Sequence, residues 1–134
     1  MTASSADTAA TLARDVEWTP VGDTDEQGNG IFIALQYGEL GTHTPTYLLM
    51  KYSAGVVAPP HLHSGDYYAV VVAGAFRHYL HDEDEFEVLG VGSTWFQRGG
   101  VVHGDRCVGP EDGITALFCP NGFDVEIVES SEGT

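Results

Sequence analysis

The chain has 134 residues, enough for one hydrophobic core, and 43% of them are apolar, which excludes wholesale disorder. Five basic residues against twenty acidic ones give a formal net charge of −15. That charge excludes a nucleic-acid or anionic-membrane partner, since phosphate binding needs a basic surface.

The chain opens with residues 1–14, small, polar and Ala-rich, which read as a loose arm or a short helix. They hold no basic segment followed by an apolar one, and no stretch of the chain reaches the roughly 18 apolar residues that span a bilayer. A cytoplasmic protein is therefore expected. From residue 15 onward no long 3.6-residue apolar pattern appears. Instead come VEWTPV (16–21), GIFIALQYG (30–38), TYLLMKYSAG (46–55), DYYAVVVAGAFRHYL (66–80), FEVLGVGSTWFQ (86–97), GVVHGDRC (100–107), ITALFC (114–119) and FDVEIV (123–128). Each is rich in Val, Ile, Tyr, Phe or Thr and bounded by turn residues, so each predicts a β-strand. Eight such runs predict an all-β, single-domain antiparallel sandwich or barrel over 15–128, followed by a loose tail, ESSEGT, at 129–134. Small size and strand edges predict a homodimer, paired through an edge strand or the N-terminal arm.

The acidic run HDEDEFE (81–87) reads as a solvated loop. Cys107 and Cys119 form no C-x-x-C motif and read as buried free thiols.

Chemistry concentrates on the histidines. In PPHLHSGD (59–66), His61 and His63 share one strand face by alternation while Leu62 points to the other. Two imidazoles at that spacing can reach one ion at about 2.0–2.1 Å from each nitrogen. Taken alone, such a pair is as readily a pair of polar residues at a strand mouth. Some forty residues later, GSTWFQRGGVVHGDRC (92–107) turns tightly at Gly99–Gly100 and brings His103 to the start of the next strand, where it could face the first pair across a small barrel.

These stretches resemble the two motifs of the cupin superfamily. Gly55, His61, His63 and Gly74 stand at the glycine, His-x-His and glycine places of the first motif, and Gly92, Gly100 and His103 at those of the second. The resemblance covers roughly residues 45–120 and departs from the family at three places: Tyr67 replaces a glutamate, Arg98 a proline and Cys107 an asparagine. It implies a cupin barrel with His61, His63 and His103 as metal ligands. The family's glutamate ligand does not carry over. Asp66 is a candidate substitute, although alternation turns it away from Tyr67's face unless the Ser64–Gly65 turn shifts the register.

The chain also looks like small single-domain bacterial cupins, and its three-histidine set is similar to that of diketone-cleaving and thiol-oxidising cupin dioxygenases. This implies one divalent transition metal, with Fe(II) preferred and Zn(II), Mn(II) or Ni(II) as alternatives, in a dioxygenase acting on a small chelating organic anion. A non-catalytic metal- or ligand-sensing cupin and a zinc-dependent isomerase or cyclase stand as alternatives. Tyr67 is expected to line the pocket or donate a hydrogen bond there, and Arg98, with Arg106, either guides an anionic substrate or pairs with neighbouring acids. Trp95, Phe96, Tyr68 and Phe76 are candidate pocket walls or core residues, and His78, of the same parity as Phe76, could point inward beside the metal.

Overall fold

A computed structural model describes residues 7–128; the predicted tail, and residues 1–6 of the predicted arm, lie outside them. The strands are β1 Thr19–Pro20, β2 Ile31–Tyr37, β3 Thr46–Tyr52, β4 Val57–Leu62, β5 Tyr67–Ala73, β6 Phe76–Tyr79, β7 Thr94–Gln97, β8 His103–Cys107, β9 Gly113–Cys119 and β10 Glu126–Ile127. Two short 3-10 turns at Ala13–Asp15 and Glu83–Glu85 are the helical segments among the described residues, and none is long and apolar enough to cross a membrane. The strands form two antiparallel sheets, β1-β2-β3-β9-β5-β7 and β10-β4-β8-β6.

Burial alternates along β5 and β9 of the large sheet, as a sheet with one buried face requires. On β9, Gly113, Thr115, Leu117 and Cys119 are buried while Phe118 is exposed. Leu48, Leu117, Tyr67 and Ala69 point inward from this sheet into one cluster, and a second joins Tyr52 and Val71 to Ala58, Phe76 and Cys107 of the small sheet. Both cysteines are buried and free.

Two elements differ from the sequence expectation. The run 66–80 is two strands in different sheets, parted at Gly74. There φ is +71° and a Cβ would stand 2.6 Å from the Asp112 carbonyl oxygen, so only glycine lets the chain cross over at this point. The segment 57–62 is a strand despite Pro59 and Pro60. The register of β4 against β8 shifts between Ala58 and His61, so neither missing proline N–H leaves a gap in a regular ladder.

The small sheet carries polar groups on its inner face. His61 lies directly opposite His103 across β4 and β8, and Asp105 directly opposite His78 across β8 and β6. These side chains, with His63 just past the end of β4, face an otherwise apolar interior and are all buried. A buried polar row of this kind needs partners.

Candidate metal centre

His61, His63 and His103 each place one ring nitrogen within 4.8 Å of the other two. Their second nitrogens decide which atom is free. His61 Nδ1–H donates to the Pro59 carbonyl at 2.8 Å, His63 Nδ1–H to the Asp124 carbonyl at 2.6 Å and His103 Nδ1–H to the Val101 carbonyl at 3.0 Å. A carbonyl only accepts, so the Nδ1 atoms carry the protons and the Nε2 lone pairs are left facing inward. This is the tautomer that metal-bound histidines adopt, with the outer nitrogen held by a backbone oxygen.

Two further observations fit a cation there. His103 Nε2 is buried and has no hydrogen-bond partner, the atom such a site would leave orphaned without its ion. Asp105 Oδ2 stands 3.4 Å from His61 Nε2 and 4.0 Å from His103 Nε2. A carboxylate and an imidazole lone pair at that distance repel one another unless positive charge lies between them. Burial holds the His103 imidazole down to about 4 and also lowers that of His63, which keeps both neutral at pH 7 as metal binding requires. Burial acts on His61 in the same direction, but the hydrogen bond and charge of Asp105 overcome it and raise its proton affinity. The three imidazoles thus form a site able to hold a divalent metal ion.

No protein-family model and no curated protein matches the chain. Solved structures do match it. The polyketide cyclase RemF from Streptomyces resistomycificus superposes with a TM-score of 0.69 at 20% identity, over 93% of this chain and 88% of that one. An RmlC-like cupin protein from Ralstonia eutropha gives 0.65 at 21% identity, over 96% and 82%. KdgF from Halomonas sp. gives 0.61 at 24% identity, over 82% and 93%. The chain has the cupin fold.

Within this fold, Asp105 holds a place that the two motifs do not give it. It accepts a hydrogen bond from His78 Nδ1–H and a longer one, 3.4 Å, from the Tyr52 hydroxyl. Burial by itself would raise its carboxyl. The neighbouring imidazoles of His61, His78 and His103 reverse that and hold it well below the usual carboxylate range. His78 Nε2 in turn meets Gln97 Oε1 at 2.8 Å, and the Gln97 amide is fixed by its own bond to the Arg98 carbonyl at 3.2 Å. Both nitrogens of His78 are thus held by side-chain oxygens, and its face stacks on Trp95 at 4.6 Å.

A cavity of about 360 Å³ reaches this centre. His61, His63, Tyr67 and Asp105 stand in its wall among apolar side chains such as Met50, Leu117 and Phe123, and no Lys or Arg lines it. Arg98 is exposed and borders a separate surface hollow with Leu80 and Phe86. Arg106 pairs with Glu83 at 3.2 Å, in the partly exposed acidic run. Asp66 Oδ1 accepts the Gly99 N–H at 2.8 Å and so ties the Gly99–Gly100 turn to the loop after His63. Phe76 and Trp95 belong to the core, while Tyr68 and Phe96 point outward.

Tyr67 packs edge-on against His63, with ring centroids 5.1 Å apart, and its hydroxyl accepts the Trp95 indole N–H at 3.0 Å. Burial, with the Asp105 charge second, raises the phenol well above its ordinary value, so the hydroxyl stays protonated. Tyr67→Phe should cost about 1 kcal/mol, the net worth of one hydrogen bond, in chemical denaturation while leaving bound metal unchanged.

The loops that deliver the histidines are clamped together. Gly100 N–H donates to the His63 carbonyl at 2.7 Å, and a Cβ on Gly99 would stand 2.6 Å from the Ser64 carbonyl oxygen. Gly99→Ala should therefore push the His63 loop off the turn that leads to His103. The expected result is a loss of about 1–3 kcal/mol in stability, as for other overpacked sites, together with weaker metal retention measured by dialysis against a chelator.

Proposed function

We propose that this cupin is a metal-dependent enzyme of the dioxygenase type that acts on a small organic molecule held in the apolar cavity. One observation carries the reading: of three clustered imidazoles with inward-facing Nε2 lone pairs, His61 and His63 stand in the wall of a cavity large enough for a small ligand. Three neutral imidazoles leave coordination positions open for substrate, the arrangement related to the two-histidine, one-carboxylate sites of iron oxygenases. Fe(II), the preferred ion, would supply a redox-active centre for oxygen chemistry, whereas Zn(II) would supply a Lewis acid.

The protein's own residues set what can bind. His61 and His63 present their nitrogens at the cavity wall, Met50, Leu117 and Phe123 exclude water, and Asp105 fixes the local charge. Because no Lys or Arg lines the cavity, a chelating anionic head must be met by the metal itself, with an apolar remainder against the walls.

A second reading, a metal-dependent cyclase or isomerase, gains from the Asp105–His78 pair beside the imidazoles, the acid–base element that such chemistry needs. The low proton affinity of Asp105 makes it a weak base and weighs against that reading. The fold does not arbitrate, since one fold hosts many reactions.

Protein reconstituted anaerobically with Fe(II) and mixed with a panel of β-dicarbonyls and thiols should consume dioxygen with at least one of them. Turnover that needs no dioxygen and proceeds with Zn(II) would favour the cyclase or isomerase. Tight binding without turnover under either metal would point to a ligand-sensing protein.

A further inference from the structure

A separate feature lies on the outer face of the six-stranded sheet, away from the cavity. Strand register places five aromatic side chains in one row. Tyr37 stands opposite Tyr47, Tyr47 opposite Phe118, Phe118 opposite Tyr68 and Tyr68 opposite Phe96, across β2, β3, β9, β5 and β7. All are solvent-exposed, at 68%, 40%, 50%, 52% and 46% for Tyr37, Tyr47, Phe118, Tyr68 and Phe96. The next row on the same face is Leu49, Ala116, Val70 and Thr94, mostly smaller side chains. A ridge of rings therefore runs beside a shallow trough, and members of both rows line one surface hollow.

We propose that this face is where two copies of the chain pack against each other, the ridge of each lying in the trough of its mate. Three arguments select a second copy. A ridge beside a parallel trough is complementary to itself under a two-fold axis, the commonest symmetry of soluble dimers. With about 200 Å² per aromatic side chain, the row leaves roughly 500 Å² uncovered on each copy. Two such rows in contact would bury about 1,000 Å² before the flanking residues are added, which is where specific interfaces begin.

Charge supplies the third argument. Two chains of −15 repel one another, yet neither row contains a charged residue, so these two rows let them meet with the least repulsion. Pairing through a strand edge, the route expected from the sequence, has little to work with. The edge strands β1 and β10 span two residues each, and β6 and β7 four.

The test is sedimentation velocity of the full chain over a dilution series at low and high salt. The wild type should be dimeric at roughly 10 μM and tighten as salt rises, because screening removes the net repulsion and leaves the apolar contact. Phe118→Glu should weaken dimerisation at least 100-fold with an unchanged circular dichroism spectrum. Val91→Glu, an equally large charge change at an exposed turn residue off this face, should leave it within about the energy of a surface substitution. Should Phe118→Glu fail to fold, Tyr68→Lys at the neighbouring place on the row serves in its stead. A wild type that stays monomeric to roughly 0.1 mM, or folded Phe118→Glu or Tyr68→Lys protein as dimeric as the wild type, would overturn the proposal. The first of those results would leave the face to a different partner.

Discussion

His63→Ala protein is expected to emerge from purification with almost no bound transition metal, while the wild type retains its ion. His63 is held from both sides. Its Nδ1–H donates to the Asp124 carbonyl, and the Asp124 carboxylate accepts from Ser64 N–H at 2.8 Å and the Ser64 hydroxyl at 2.6 Å. Its ring packs between Tyr67 and Phe123, each with centroids 5.1 Å away. A ligand so fixed is ready to bind with little ordering cost, and removing it leaves two imidazoles that grip an ion poorly. The substitution should also leave a cavity, yet the fold should survive, because the ring sits beyond the end of β4 and contributes no ladder hydrogen bond. Metal content by elemental analysis against circular dichroism separates the two effects. Full metal content in folded His63→Ala protein would mean that the ion is held elsewhere.

Asp105→Asn should produce the next largest change, in stability as well as metal binding. Asp105 is 4% exposed and is the anion shared by His78, Tyr52 and the two facing imidazole nitrogens of His61 and His103. Asparagine fills the same space without the charge, and its amide cannot accept from every donor that the carboxylate serves. Breaking a buried pair by removing one partner typically costs about 3–5 kcal/mol, and losing the negative charge beside the Nε2 atoms of His61 and His103 should weaken the attraction for a cation as well. The stability part carries its own pH signature, measured on metal-stripped protein. A carboxyl held below its unfolded value near 3.9 stabilises the fold fully above that value and loses the contribution as pH falls toward its folded value. The wild type should therefore exceed the variant by its full margin at neutral pH, and the gap should close only in strong acid. A gap that is constant down to that range would mean that the lost energy is packing rather than charge.

Much of the site was legible because strand alternation is a strict rule. It put His61 and His63 on one face, and the Gly99–Gly100 turn returned the chain so that His103 falls directly opposite His61. The same rule, applied to His103-Gly104-Asp105, puts Asp105 on the face of His103. His78 shared parity with Phe76 and does point inward, although its partners, Asp105 and Gln97, come from strands that sequence alone does not align with it. Arg98 could not be placed from sequence, since the turn that precedes His103 sends its side chain to solvent rather than into the cavity.

The strand count erred for local reasons. Pro59 and Pro60 kept β4 out of the eight runs although its His61 end reads as strand by alternation, and the apolar stretch 66–80 masked a crossover between sheets that only Gly74 permits. The aromatic row was equally hidden. Its members come from five separate strands, and only the pairing register brings them into line.

X-ray absorption at the edge of the bound metal tests the central claim most directly. The expected first shell contains three nitrogens at about 2.0–2.1 Å, with the outer-ring scattering that marks them as imidazoles. A shell made of oxygen or sulfur alone, without imidazole scattering, would contradict it.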